Sequence, residues 1–320
     1  MQRTELLPPT DVWLLVRALP VPLQGATQRL ADALAEIHGP RFAVWHTNEF
    51  VFGVHQGRLF LRTLGGAEVP APKVVLIRQT PGSMHYDREV TLLRHLERMG
   101  ATLVNPLAAH LLCRNKVWQT QELALAGLPV PDTLSYGTAP LEGVVRTTGL
   151  DTPCVVKSVT GHKGKQVFLA PDTHLLRGIA GALAQETPHL FQEYVSHSHG
   201  RDLRLIVVDG ETVGAAVRTA RNGGLASNIG QGGSATICPG EFPEAEALAV
   251  RAAEAMGLAI AGVDLLFASE DAFTVCEVNA VPGWRPQMTA VVPAVTACVG
   301  RRLKAADESA GRPLPEPTTP

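Results

Sequence analysis

Apolar positions in the first third of the chain fall into short blocks with helical stripes between them. Residues 11–17 and 73–77 are near-continuous apolar runs, as strands buried on both faces require, and 41–45 and 102–105 read the same way. Leu30, Ala33, Leu34 and Ile37 recur at helix spacing and predict a helix over 26–37. A second helix is expected over 88–99, closed by Gly100, and a hairpin over 49–61 about His55, Gln56 and Gly57. Strands alternating with helices predict a parallel α/β domain over residues 1–110. The polar segment 78–83 follows a strand, on the edge where open α/β sheets take ligands. No Gly-x-Gly-x-x-Gly follows any of these strands, so the dinucleotide fingerprint is absent.

Beyond residue 110 the pattern changes. Asn115 can cap a helix that Gly127 ends and that Pro129 and Pro131 keep from continuing. Lys116 then sits in the first turn, where the helix dipole favours anions. An anionic ligand would explain it; a solvated lysine is the alternative. Residues 153–159 form a strand carrying Lys157, followed by a glycine-bearing turn over 160–166, a strand over 167–170, a helix over 173–185 and a strand over 189–195. His197 and His199 alternate in a polar loop with no cysteine or carboxylate at ligand spacing, and read as solvated. Asp209-Gly210 turns a hairpin over 200–217, with Asp202 and Arg204 on one face, either paired at the surface or turned to a site.

Residues 261–267 and 273–278 flank a short polar turn and predict another hairpin. Folding it about residue 270 brings Asp264 roughly opposite Glu277, with Glu277 and Asn279 on one face. Facing carboxylates repel, and a divalent cation relieves that repulsion. Asp, Glu and Asn make an all-oxygen set that suits Mg²⁺ or Mn²⁺ and not zinc. An ordinary hairpin with its acids in water fits the same alternation. Helices are expected over 243–256 and 291–304, and a disordered, proline-bearing tail over 305–320.

Composition narrows the classes. The 320 residues exceed one ordinary core, and 45% apolar content fits a globular protein. A net charge of −2 argues against a nucleic-acid footprint, and no apolar run is long enough to span a membrane. Five scattered cysteines without a Cys-x-x-Cys pair fit a reducing cytoplasm. Only six residues are lysine, and four of them, Lys116, Lys157, Lys163 and Lys165, fall within one 50-residue window. Lysine is a compact point charge suited to phosphate, and phosphate binding would account for the clustering. Residues 218–233 are rich in glycine and hold Arg218 and Arg221, a mixture that lets backbone approach a ligand while guanidinium reads carboxylate or phosphate.

In order along the chain, Asn115-Lys116 with Gly127-Leu128-Pro129-Val130-Pro131, the Lys157 strand and its turn, Gln192-Glu193-Tyr194-Val195, Gly200-Arg201-Asp202-Leu203-Arg204, Ser227-Asn228 with Gly232-Gly233, and Gly262-Val263-Asp264 with Glu277-Val278-Asn279 resemble the ATP-grasp superfamily, in particular its RimK-like α-L-glutamate ligase branch. The resemblance implies an N-terminal α/β domain over 1–110, a central lid subdomain over 111–190 and a C-terminal metal-binding subdomain over 191–304, with nucleotide between the two ATP-grasp lobes. It implies that Asp264, Glu277 and Asn279 hold two Mg²⁺ or Mn²⁺ ions against ATP, and that Lys116 and Lys157 hold its phosphates. Gln192, Glu193, Tyr194 and Val195 would form the adenine hinge. Asp202, Ser227 and Asn228 would face the nucleotide, and Arg218 or Arg221, with Asn279, the acyl phosphate. Departures are His162 and Gln166 in the lid, and Ala226 and Gln231 where relatives that modify ribosomal protein carry arginine.

The implied reaction joins a carboxylate to an amine through an acyl phosphate. L-Glutamate added to a small carboxylate molecule is the expected substrate pair. A ligase acting on a protein or carrier-protein C-terminus, a catalytically silent nucleotide-binding regulator and a kinase-like enzyme are the alternatives. Nucleic acid and membrane are not expected partners, and homo-oligomerisation is left open.

Overall fold

A computed structural model describes residues 5–17, 23–78, 86–140, 143–144, 152–161, 167–183, 188–225 and 232–310. The described residues divide into two compact units: those up to Leu107 with the helix from Val292 on, and Ala108–Val291.

The first unit contains β1 (Val12–Val16), α1 (Gly25–His38), β2 (Phe42–His46), β3 (Phe50–His55), β4 (Arg58–Thr63), β5 (Val74–Ile77), α2 (Thr91–Arg98) and β6 (Thr102–Val104). Its sheet runs β2-β1-β5-β6, every pair parallel. Every residue of the central strands β1 and β5 is buried, which is why they read as unbroken apolar runs. The β3–β4 hairpin turns through Gln56 and Gly57, at φ +48° and +74°. Two successive positive φ values match the twist of the flanking strands. A π-helical turn, Tyr86–Val90, stands where the first turn of an α-helix was expected, ahead of α2.

The C-terminal helix spans Val291–Ala310, six residues past its expected end. The tail expectation therefore fails for 305–310, and residues after 310 lie outside the described ones. The reason is local: Ala305, Ala306 and Glu308 are good helix formers, and the first proline of the tail comes only at Pro313. Asp307 also anchors the helix, meeting Lys73 at 2.6 Å and Arg41 at 3.5 Å. The helix thus belongs with the N-terminal residues, whereas the sequence reading placed it in the last subdomain.

The second unit contains α3 (Leu107–Arg114), α4 (Lys116–Leu125), β7 (Thr133–Ser135), β8 (Cys154–Ser158), β9 (Val167–Ala170), α5 (Thr173–Ala182), β10 (His189–Glu193), β11 (Arg201–Val208), β12 (Glu211–Thr219), β13 (Ser234–Ile237), α6 (Pro243–Ala255), β14 (Ile260–Phe267) and β15 (Phe273–Asn279). One antiparallel sheet runs β7-β10-β8-β9 and a second runs β13-β12-β11-β14-β15. The residues expected to form two subdomains, 111–190 and 191–304, cluster as one unit up to Val291.

Period two sorts the larger sheet. Leu203, Leu205, Val207, Val263 and Leu265 join one core with Ala245, Ala249, Ala252 and Ala253 of α6. Small alanines let the helix lie close against the strands. The residues in between, Asp202, Arg204 and Asp264, project from the opposite face of the same strands. Among the described residues, no helix is long and apolar enough to cross a membrane.

Candidate functional site

Strands β14 and β15 pair with Phe267 facing Phe273, Leu266 facing Thr274 and Leu265 facing Val275; the register then slips, and Asp264 faces Glu277 while Gly262 faces Asn279. Cys276 is the extra residue, a β-bulge next to the acids. An unbroken hairpin would have set Asp264 against Cys276. The bulge brings the two carboxylates opposite each other and leaves consecutive residues, Cys276 and Glu277, both half-buried.

A lysine reaches each of these residues. Asn115 accepts from the Val117 and Trp118 amides at 2.9 and 3.2 Å and caps α4, so Lys116 opens the helix. Its ammonium lies 3.4 Å from Glu277 Oε1 and donates to the Gly161 carbonyl at 2.9 Å. The unfavourable place of Lys116 in the helix dipole is thus offset by a carboxylate. Lys157 on β8 is buried, with Nζ 3.9 Å from Cys276 Sγ. A thiol is a weak partner for an ammonium. Burial holds that thiol above its usual pKa, against the pull of Lys157.

Sequence reasoning missed the residue that docks α4 onto β15. Gln119, fully buried, accepts from the Val278 amide at 2.8 Å and donates to the Cys113 carbonyl at 2.6 Å. It fixes the strand between Glu277 and Asn279. A polar residue on the otherwise packed face of α4 was the available signal.

At the other end, Arg218 meets Asp202 through two bonds of 2.6 Å each and reaches Asp264 Oδ1 at 2.9 Å. Arg204 holds both oxygens of Asp264, from Nε to Oδ1 and from Nη2 to Oδ2 at 2.8 Å. Both are cross-strand neighbours, Asp202 opposite Arg218 and Arg204 opposite Asp264. Asp202 and Arg204 therefore do not pair with each other; each finds its partner on the adjoining strand. Gly262 makes this possible, since a Cβ there would stand 2.8 Å from the Arg204 guanidinium and 2.7 Å from Pro282. Burial would raise the Asp264 carboxyl, but Arg204 and Arg218 outweigh it and hold it below its usual value. Burial likewise opposes the charge on Arg218, and Asp264 and Asp202 outweigh it to hold that guanidinium above its usual value.

The expected hinge residues separate. Gln192 is buried and donates to Thr133 Oγ1 at 2.8 Å. Glu193 is exposed and pairs through its backbone amide with the Asp132 carbonyl at 2.8 Å. Tyr194 and Val195 are half-buried just past β10. Arg221 is exposed in a short turn after β12, with its Cδ 3.4 Å from where a Cβ on Gly232 would stand. It is not part of the chain of arginines and aspartates. Ser227 and Asn228 lie outside the described residues, as do His162, Lys163, Lys165, Gln166, Ala226 and Gln231.

Does this set fit a divalent cation? Asn279 Nδ2 lies 3.5 Å from Asp264 Oδ2, so Asp264, Glu277 and Asn279 do converge. Among the described residues no group of three His, Cys, Asp or Glu could hold a metal, which leaves two carboxylates and an amide. A short all-oxygen set suits Mg²⁺, which keeps waters and substrate phosphate as its other ligands. Glu277, beside Lys116, offers a carboxylate, and Asn279, which turns Nδ2 toward Asp264, would ligate through Oδ1. Asp264 fits once an arginine yields one of its oxygens. Four cations, Lys116, Lys157, Arg204 and Arg218, face three carboxylates here, Asp202, Asp264 and Glu277. The set is net positive, as a site for a polyanion should be.

Comparison with known proteins bears on the family and the fold. The model of the RimK-like ATP-grasp domain family matches residues 113–293. Human β-citrylglutamate synthase B is 41% identical over 239 residues, 74% of this chain and 62% of that protein. Mouse N-acetylaspartylglutamate synthase A is 42% identical over 215 residues, 67% of this chain and 56% of that protein. This chain therefore spans about three fifths of the length of these relatives. A probable α-L-glutamate ligase of Legionella pneumophila (strain Corby) is 35% identical over 222 residues, 68% of this chain and 72% of that protein. Among solved structures, the D-cycloserine synthetase DcsG superposes with a TM-score of 0.66 at 20% identity, covering 91% of this chain and 99% of its own. The ATP-grasp ligase PsnB, complexed with minimal precursor, Mg and ADP, superposes with a TM-score of 0.64 at 18% identity, covering 92% of this chain and 98% of its own. At such identities the two structures speak for the fold. The mixed α/β architecture, the motif order and the family match lead to one conclusion: this chain belongs to the RimK-like ATP-grasp family.

Proposed function

We propose that this protein is an ATP-dependent carboxylate–amine ligase that joins L-glutamate to a small carboxylate molecule through an acyl phosphate. The observation that carries the reading is the convergence of two lysines on the bulge of β15, Lys116 on Glu277 and Lys157 on Cys276. Buried Lys157 has a thiol for a neighbour, and a nucleotide phosphate would be a far better partner.

Lys116 and Lys157 would hold the phosphates of ATP, and the strand ending at Glu193 and Tyr194 would meet adenine. Glu277 and Asn279, with Asp264, would hold Mg²⁺ or Mn²⁺, two ions in the full site. Bound there, the metal supplies charge neutralisation between the phosphates and the carboxylate pair. Arg221, exposed and in the glycine-rich segment, is the better placed of the two arginines to meet the substrate carboxylate. Arg218 is already engaged by two aspartates. The γ-phosphoryl group passes to the substrate carboxylate, ADP leaves, and the amine displaces phosphate to form the amide. Phosphoryl transfer of this kind depends mainly on positioning and charge. The names of the relatives support glutamate as the amine and acids such as citrate or N-acetylaspartate as the carboxylate. Five free cysteines suit a reducing, cytoplasmic setting.

The test is a matrix of ADP release, phosphate release and amide formation over citrate, N-acetylaspartate and other carboxylates, with and without L-glutamate. ADP release that requires both substrates and matches amide formation supports the reading. ADP release with a stable phosphorylated product, or no turnover with any pair, contradicts it.

A further inference from the structure

His199, expected from the sequence to be a solvated loop residue, is bonded on both sides. Its Nδ1 lies 2.6 Å from the Tyr194 hydroxyl and its Nε2 lies 3.1 Å from the Gly223 carbonyl. A carbonyl can only accept, so Nε2 carries the proton. With Nε2 as the donor, Nδ1 can accept, and Tyr194 donates to it. The two rings also meet edge to face at 5.9 Å.

The neighbouring backbone closes the same junction. The Ala220 amide donates to the Gly200 carbonyl at 2.7 Å. Gly200 has φ +68°, and a Cβ there would stand 2.8 Å from the Gly224 carbonyl oxygen, so this approach requires glycine. Ser198 fixes the segment from behind: its hydroxyl donates to the Arg201 carbonyl at 2.6 Å and accepts from the Phe267 amide at 3.0 Å. His197, two residues earlier, is engaged separately by Arg201 at 3.3 Å. Tyr194 follows β10, and Gly223 closes the turn that begins with Arg221.

We propose that His199 is a positioning residue that ties the nucleotide-side strand to the turn carrying Arg221, so that nucleotide against Tyr194 orders the arginine that meets the substrate carboxylate. This rests on the ligase reading above. In the chain Tyr194–His199–Gly223 every member has one defined role, and the adjacent Gly200–Ala220 bond keeps the turn within reach. Nucleotide that restrains Tyr194 restrains Gly223 through two hydrogen bonds and one rigid ring.

The test is hydrogen–deuterium exchange of the full chain with and without Mg·AMP-PNP, read over residues 188–195 and 219–225, together with steady-state kinetics. In the wild type, nucleotide should slow exchange in both segments. His199→Ala should keep the protection at 188–195 and lose it at 219–225, and Tyr194→Phe should act in the same direction. His199→Ala should raise KM for the carboxylate about fivefold, the loss expected for one hydrogen bond, with kcat/KM for ATP nearly unchanged. His199→Gln, whose amide can accept at one atom and donate at the other, should restore both readouts in part. Nucleotide protection at 219–225 that persists in His199→Ala, or an unchanged carboxylate KM, would overturn the proposal. Wild type that shows no protection at 188–195 would instead remove the nucleotide reading, and this proposal with it.

Discussion

At one end of the site, Asp202 and Asp264 are each held by a guanidinium through two bonds, and Arg218 links them. At the other end, Glu277 meets Lys116 at 3.4 Å and Lys157 meets a thiol at 3.9 Å. Both ends are charged and largely shielded from water, but only at the first are the charges matched to each other at 2.9 Å or less; Lys116 makes its close bond, 2.9 Å, to the Gly161 carbonyl. Buried charge is tolerated when paired in good geometry and costs heavily when one partner is lost. The arginine–aspartate end therefore behaves as architecture, holding β11, β12 and β14 in register. The lysine end holds more loosely matched charge, as the proposed phosphate site requires.

Replacing Asp264 tests the first half of that contrast and should have the largest effect. Asp264→Ala removes the carboxylate that Arg204 and Arg218 share, and should cost about 3–5 kcal/mol in urea unfolding. Stability close to wild type would erase the distinction between the two ends. Glu277→Gln probes the second half. It should lower ADP release by about 100-fold or more while the urea midpoint moves little. Unchanged turnover would count against a metal at Glu277.

Titration separates the ends from the rest of the unit. His110 on α3 is fully buried, and burial pushes its imidazole down to about 4. The ring is neutral in the fold, so its contribution is complete above the unfolded value of about 6.5 and is lost as pH falls toward 4, up to about 3 kcal/mol. His110→Leu should flatten stability across that window. Asp264, whose carboxyl is held below its usual value, should contribute above the ordinary aspartate range and lose that contribution only at lower pH. The smallest effect is expected at the exposed Asp307 anchor of the other unit. Asp307→Ala should barely move the midpoint in the same unfolding assay, and less still at high salt.

What the sequence disclosed follows from which forces are local. Period two put Asp202 and Arg204 on one face, and that face is observed. Their partners were hidden, because Arg218 and Asp264 become neighbours only through the strand order β12-β11-β14. Asp264 was expected roughly opposite Glu277, and it is, but through a bulge at Cys276 that the alternation did not reveal. Asn115 was legible as a cap because capping is decided within three residues. Gln119 and His199 were not, since their bonds join segments distant in sequence, Gln119 to Val278 and His199 to Gly223. The tail was misjudged over 305–310 because prolines further on outweighed the helix formers before them.

The most direct measurement is calorimetric titration of Mg·AMP-PNP into wild type, Lys157→Met and Arg204→Lys. The account predicts binding to wild type, a loss of at least about tenfold in Lys157→Met and a change within about threefold in Arg204→Lys. Equal affinity in wild type and Lys157→Met, or no binding to wild type, would contradict it.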